Sequence, residues 1–253
     1  MSRKHLLVGN WKMNLGPTQA RDFALSLTKE IPALTRTDVW VCPPTVSLPA
    51  ASAALLSSPV LVGAQNVHWA KAGAFTGETS PLFLKDIGVT FSLTGHSERR
   101  TYFGETSETV AMRTETALAE GLKVIVCVGE TEAERSNGAT EQVLRDQLAP
   151  VMARLSASLA PQVVIAYEPV WAIGTGKVAS LQDIAATHKF IQRLWNAQGY
   201  ECQPTILYGG SVNPQNFAEI LALKEVNGAL VGGASIKLDQ WLELIRIAEA
   251  TDA

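Results

Sequence analysis

The stretch VVIAYEPVWAIGTGK, residues 163–177, decides how the rest of the chain reads. A continuous apolar run ends on a carboxylate, Glu168. Pro169 follows at once, then Val170, Trp171, Ala172 and Ile173, then Gly174, Thr175, Gly176 and Lys177. An apolar run without polar alternation predicts a strand covered on its outer face by helices, the pattern of parallel sheets. A charged residue at the tip of such a strand, followed by a segment stiff at one end and free at the other, fits either a nucleotide-binding loop or a catalytic base under a moving lid.

Working outward, similar runs recur. Strands are expected at HLLVGN (5–10), VWVCP (39–43), VLVGAQ (60–65), VTFSLT (89–94), KVIVCVG (123–129), VVIAYE (163–168), TILYGG (205–210) and GALVGG (228–233). The stretches between them carry helical periodicity. In SLQDIAATHKFIQRLWNAQG, Ser180 is a capping residue with Asp183 as its partner. Ile184, His188, Ile191 and Trp195 share one face, and Gly199 ends the helix. Further helices are expected from Ser107 towards Glu120, stopping at Gly121, and near Pro17 to Ile31.

Eight strands alternating with helices fit either an open doubly wound sheet or a closed barrel. Polar and glycine residues gather where the strands end: Asn10 and Lys12, Gln65 and Asn66, Gly95 and His96, Gly129 and Glu130, Glu168, Gly209 to Ser211, Gly232 and Gly233. A barrel brings all these ends around one mouth, where enzymes of this fold keep their active sites. The expectation is an α/β fold, an eight-stranded parallel (β/α)8 barrel, with residues 1–253 as a single domain.

Composition agrees with a large buried core, at 47% hydrophobic and 18% charged residues over 253 positions. The net charge of −3 gives no electrostatic footprint for nucleic acid. Three scattered cysteines form neither a disulfide framework nor a metal motif and fit a reducing cytosol, so a cytoplasmic location is expected. The N-terminal apolar run, Leu6 to Val8, is too short for a signal peptide, and no apolar segment approaches the ~18 residues of a membrane span.

GTGK fails as a phosphate loop, because Trp171 and Val178 stand where a glycine and a Ser or Thr are needed. A dinucleotide fingerprint fails too, since the glycines do not follow a strand directly. Glu168 remains as a base, its apolar approach expected to desolvate it and raise its pKa. Pro169 restricts one hinge of the following lid, Gly174 and Gly176 free the other, and Val170, Trp171 and Ile173 seal a pocket against water.

Of four histidines, His5 reads as a surface residue at the far end of the first strand, His68 as packing or surface, and His188 as core. His96 in TGHSERR opens a short helix whose N-terminus disfavours the imidazolium, so a neutral ring is expected. Lys12 supplies a point charge for an anion. The turns YGGS (208–211) and VGGAS (231–235) let backbone N–H groups approach a phosphate, as in the common phosphate site of barrels. No cluster has metal-ligand spacing. Lys123, at the start of the fifth strand, is on the wrong side for a Schiff-base aldolase.

The set NWKMN (10–14), AQN (64–66), GHSERR (95–100), CVGE (127–130), AYEPVWAIGTGK (166–177), YGGS (208–211) and VGGAS (231–235) closely resembles the triosephosphate isomerase family. AYEPVWAIGTGK and GHSERR are the specific members of the set. The resemblance implies a TIM barrel that interconverts dihydroxyacetone phosphate and glyceraldehyde 3-phosphate without a cofactor or metal. It implies Glu168 as base, His96 as the group polarising the carbonyl, and Lys12 stabilising the anion. Asn10 lines the site, and backbone groups of Gly174, Ser211, Gly232 and Gly233 hold the phosphate.

The implied lid is Pro169, Val170, Trp171, Ala172, Ile173, Gly174, Thr175, Gly176 and Lys177, closing towards Tyr208 and Ser211. The family is usually a homodimer, which makes Phe75 and Thr76 in KAGAFTGE (71–78) expected contacts with a partner. Thr94 departs from the family, which usually has an aliphatic residue there. The alternative is a non-catalytic phosphosugar-binding barrel, which would have no need for Glu168 and His96 together.

Overall fold

The computed structural model describes residues 4–174 and 177–252. Among these, eight strands close into one barrel in chain order: β1 His5–Asn10, β2 Thr37–Cys42, β3 Leu61–Ala64, β4 Phe91–Thr94, β5 Lys123–Val128, β6 Val163–Tyr167, β7 Thr205–Tyr208 and β8 Gly228–Val231. Every neighbouring pair is parallel. The ring closes where Leu6 to Gly9 of β1 pair with Gly228 to Val231 of β8. The expected (β/α)8 barrel is therefore the observed fold.

Alternating side chains divide the core into two shells. Leu6, Val8, Trp40, Phe91, Leu93, Ile125, Leu207 and Leu230 fill the barrel interior. Leu7, Val39, Val41, Val124, Val126, Ile165 and Ile206 point outward against the helices. Each large aliphatic side chain buried this way contributes about 1.5–3 kcal/mol, and this two-sided burial explains why the strands read as unbroken apolar runs.

The helices fall where periodicity places them, at Pro17–Glu30, Ser107–Ala119 and Leu181–Asn196 among others. Ser180 caps the last of these, its Oγ accepting the Asp183 N–H at 3.1 Å. Ile184, His188, Ile191 and Trp195 are all buried on its inner face.

The strand ends need correction. Pro43, Gln65, Gly129, Glu168, Gly209, Gly210, Gly232 and Gly233 lie beyond their strands, which end earlier than the apolar and glycine-rich runs suggest. Likewise Val60, Val89 and Thr90 precede their strands, and β2 starts two residues sooner than expected, at Thr37.

His5 is a second correction. It is buried, not on the surface, because the backbone of Thr251 and Asp252, after the helix Leu238–Ala250, lies against its ring. Burial lowers its pKa. His188 is in the core as expected, its pKa lowered by burial to about 4. His68 is buried, its ring 4.1 Å from that of Trp69 and 4.3 Å from that of Phe75.

Candidate active site

Glu168 leaves the end of β6 under close control. Its N–H donates to Val128 O at 2.7 Å, continuing the β5–β6 ladder by one bond. Its side chain crosses Gly209, where a Cβ would stand 2.8 Å from the Glu168 Cγ, so only glycine leaves room. The carboxylate is buried. Oε1 lies 3.0 Å from His96 Nε2, and Oε2 accepts the Ser97 N–H at 3.0 Å.

These contacts overturn the expected direction of the Glu168 pKa. Complete burial pushes it up. The charge and hydrogen bond of His96, the Ser97 N–H and the charge of Lys12 outweigh burial and hold it below the ordinary carboxylate value. The apolar approach in the sequence revealed the burial but not the partners.

His96 is the capping residue of the helix Ser97–Phe103, and its Nδ1 accepts the Glu98 N–H at 3.2 Å. A donor facing Nδ1 leaves the proton on Nε2, which donates to Glu168. Burial lowers the His96 pKa, yet the Glu168 charge beside it outweighs burial, and the net direction is up. The expected neutral ring thus meets a carboxylate closer and stronger than the helix N-terminus.

Behind His96, Thr94 is not left without a partner: its Oγ1 is 3.0 Å from the Thr114 Oγ1 on the helix Ser107–Ala119, both buried.

Lys12 adopts a left-handed backbone, φ 50°, which is costly for a residue with a side chain. Polar contacts fix it there. Its N–H donates to Asn10 Oδ1 at 3.0 Å, and its carbonyl accepts from Gln65 Nε2 at 2.8 Å. The side chain runs past Gly232, and Nζ meets Glu98 Oε1 at 2.6 Å.

The segment expected to act as a lid begins with a single 3₁₀ turn, Val170–Ala172. Trp171 Nε1 donates to Glu130 Oε1 at 2.9 Å, and the Tyr167 hydroxyl donates to the same oxygen at 3.0 Å. The Arg135 guanidinium stacks 4.6 Å above the Trp171 ring. Ser211 Oγ donates to Ala172 O at 2.6 Å, tying this segment to the turn after β7. Lys177 reaches outward to Glu132. Thr175 and Gly176 lie outside the described residues.

Asn10, Lys12, His96, Glu168, Gly174, Ser211, Gly232 and Gly233 all line one pocket of about 250 Å³, together with Gly209, Gly210 and Ile173. Phe75 and Thr76 do not. They lie exposed in the loop after β3.

Ser97 and Glu98 from GHSERR entered only through geometry, while Gln65 from AQN and Glu130 from CVGE were expected at the mouth without a role. Their motifs carried the signal, but the roles appear only in space. Among the described residues no group of three or more His, Cys, Asp and Glu could hold a metal ion.

A closed parallel barrel with a carboxylate, an imidazole and an ammonium converging at its C-terminal mouth defines a barrel protein equipped for acid–base chemistry on a small anion. The family follows from comparison. The family model described as triosephosphate isomerase matches residues 5–248, and the chain belongs to that family. It is 45% identical over 247 residues to the triosephosphate isomerase of Herpetosiphon aurantiacus, covering 96% of this chain and 99% of the relative. The enzyme of Carboxydothermus hydrogenoformans is 44% identical over 96% of this chain and 98% of its own length. That of Salmonella paratyphi B is 43% identical over 98% of each.

Proposed function

We propose that the protein is a triosephosphate isomerase, interconverting dihydroxyacetone phosphate and D-glyceraldehyde 3-phosphate through an enediolate. The observation that carries this reading is the meeting of Glu168, His96 and Lys12 in the pocket that the glycine turns after β7 and β8 also line.

Glu168 takes a proton from the carbon beside the carbonyl and returns it to the neighbouring carbon. To do so it exchanges its bonds to His96 and Ser97 for contact with the substrate. His96, freed from the carboxylate, donates Nε2–H to the carbonyl oxygen and relays the hydroxyl proton between the two oxygens. Lys12 stabilises the negative charge that develops, a contribution largest in a water-poor site. Asn10 shapes the Lys12 backbone. Backbone groups of Gly174, Ser211, Gly232 and Gly233 hold the phosphate. The step moves protons only, so it needs neither a cofactor nor a metal.

The lid, 169–177, covers the intermediate, because an enediolate exposed to water expels its phosphate. Ile173 and Gly174 already border the pocket, which supports that role. A barrel that only binds phosphosugars has no use for a buried carboxylate bonded to an imidazole at the mouth.

A homodimer fits the distribution of exposed apolar residues. Met13, Val46, Phe75, Phe83, Tyr102 and Phe103 are exposed and follow β1 to β4, neighbours in the barrel, while Val178 and Leu181, also exposed, follow β6. A second copy of the chain would cover those after β1 to β4, with Thr76 near the partner's Lys12 region. Light scattering on the purified protein should give twice the chain mass.

Among the described residues no helix is long and apolar enough to cross a membrane. Three free cysteines fit a cytoplasmic location. The deciding assay is isomerisation of glyceraldehyde 3-phosphate with chelator present. Rapid turnover is expected, and a folded sample without turnover would overturn the reading.

A further inference from the structure

Past the end of β5, the chain keeps company with the segment that follows β6. Glu168 N donates to Val128 O at 2.7 Å, and Val170 N donates to Glu130 O at 3.0 Å. Gly129 sits between these two bonds. A Cβ on Gly129 would lie 1.7 Å from the Glu168 carbonyl oxygen, so the two main chains are in direct contact and any shift of one moves the other.

Gly129 is gripped from its other side by a single side chain. Gln147, on the helix Thr140–Arg154, accepts the Gly129 N–H through Oε1 at 2.8 Å. The same amide donates through Nε2 to the Gly129 carbonyl at 3.0 Å. Two parallel bonds to one residue fix both the position and the tilt of its backbone, as a neighbouring strand would. Gln147, Gly129 and Glu168 also share the wall of a separate cavity of about 120 Å³. Close packing therefore does not hold this junction from every side, and the amide bonds carry more of the task.

The proposed reaction needs such a fixed point. The Glu168 carboxylate has to swing from Ser97 and His96 to the substrate while its own main chain stays still. We propose that Gln147 is a positioning residue for the isomerisation: by clamping Gly129 against Glu168 it sets the pivot from which the base reaches the substrate. This rests on Glu168 being the base. Three of the four residues assigned to the phosphate, Ser211, Gly232 and Gly233, lie on the turns after β7 and β8, away from the clamp; only Gly174 follows β6.

The test uses the full chain. Gln147→Met keeps the side-chain size and removes both bonds. Misplacing the base should lower kcat by on the order of tenfold while KM, and inhibition by inorganic phosphate, stay within about twofold of wild type. Gln147→Asn is one methylene shorter and reaches one of the two groups at most, so its kcat should fall between the other two.

A general weakening of the barrel would not separate kcat from KM in this way. Wild-type kcat in the Met variant, a KM that rises as kcat falls, or failure of both variants to fold would each overturn the proposal. Wild type is the control for the underlying reading: no isomerisation by it would refute the function itself, not the clamp.

Discussion

His96 Nε2 stands 3.0 Å from Glu168 Oε1, so the two groups assigned to move protons in the reaction are hydrogen-bonded to each other. The Ser97 N–H holds the other carboxylate oxygen at 3.0 Å. Glu168 is thus parked, and its reach from the end of β6 decides whether it arrives at the substrate carbon.

Shortening that reach is the simplest perturbation. Glu168→Asp should fold normally, because the main-chain bond to Val128 is untouched. Its carboxylate withdraws by about 1 Å, a misplacement that costs on the order of 10²-fold in kcat. Steady-state kinetics checks this, and near-wild-type turnover would remove Glu168 from the role of base.

The same contact makes stability depend on pH. The folded Glu168 pKa is depressed, so its share of stability is complete above the unfolded carboxylate value of about 4.3 and is lost as pH falls through the folded value. The folded His96 pKa is raised, so its share is complete below the unfolded imidazole value of about 6.5 and is lost as pH rises through the folded value. Both describe one contact and are not to be added.

Denaturation of wild type against His96→Gln should show the largest stability difference between about pH 4.3 and 6.5, shrinking on either side. A difference independent of pH would contradict the pairing. A phosphorylated ligand that draws Glu168 away should also move the His96 titration, followed by NMR, to lower pH.

The lid gives a different kind of test. Gly174 has φ 68°, a left-handed conformation that proline, locked near −65°, cannot adopt. Gly174→Pro should slow closure and leave the intermediate in water for longer. Inorganic phosphate released per turnover should rise. Unchanged release would count against the lid as a shield.

The barrel was legible because polar and glycine residues cluster after apolar runs, and a closed parallel sheet brings those clusters together. Strand ends were less legible. Gly129 and Glu168 follow the apolar runs of β5 and β6 without a break, yet they lie beyond the strands. The pKa direction of Glu168 could not be read from VVIAY, since it depends on His96 and Ser97 from another strand's loop. The burial of His5 depends on a turn at the opposite end of the chain. Gln147 belongs to no motif in the sequence, and its grip on Gly129 exists only across space.

The central claim is that a carboxylate moves a proton between two carbons. Isomerisation run in deuterium oxide tests it most directly. Proton transfer through Glu168 predicts deuterium on the carbon that receives the proton, because the base exchanges its hydron with solvent. Product that carries no solvent deuterium, as a direct hydride shift between the carbons would give, would contradict the account.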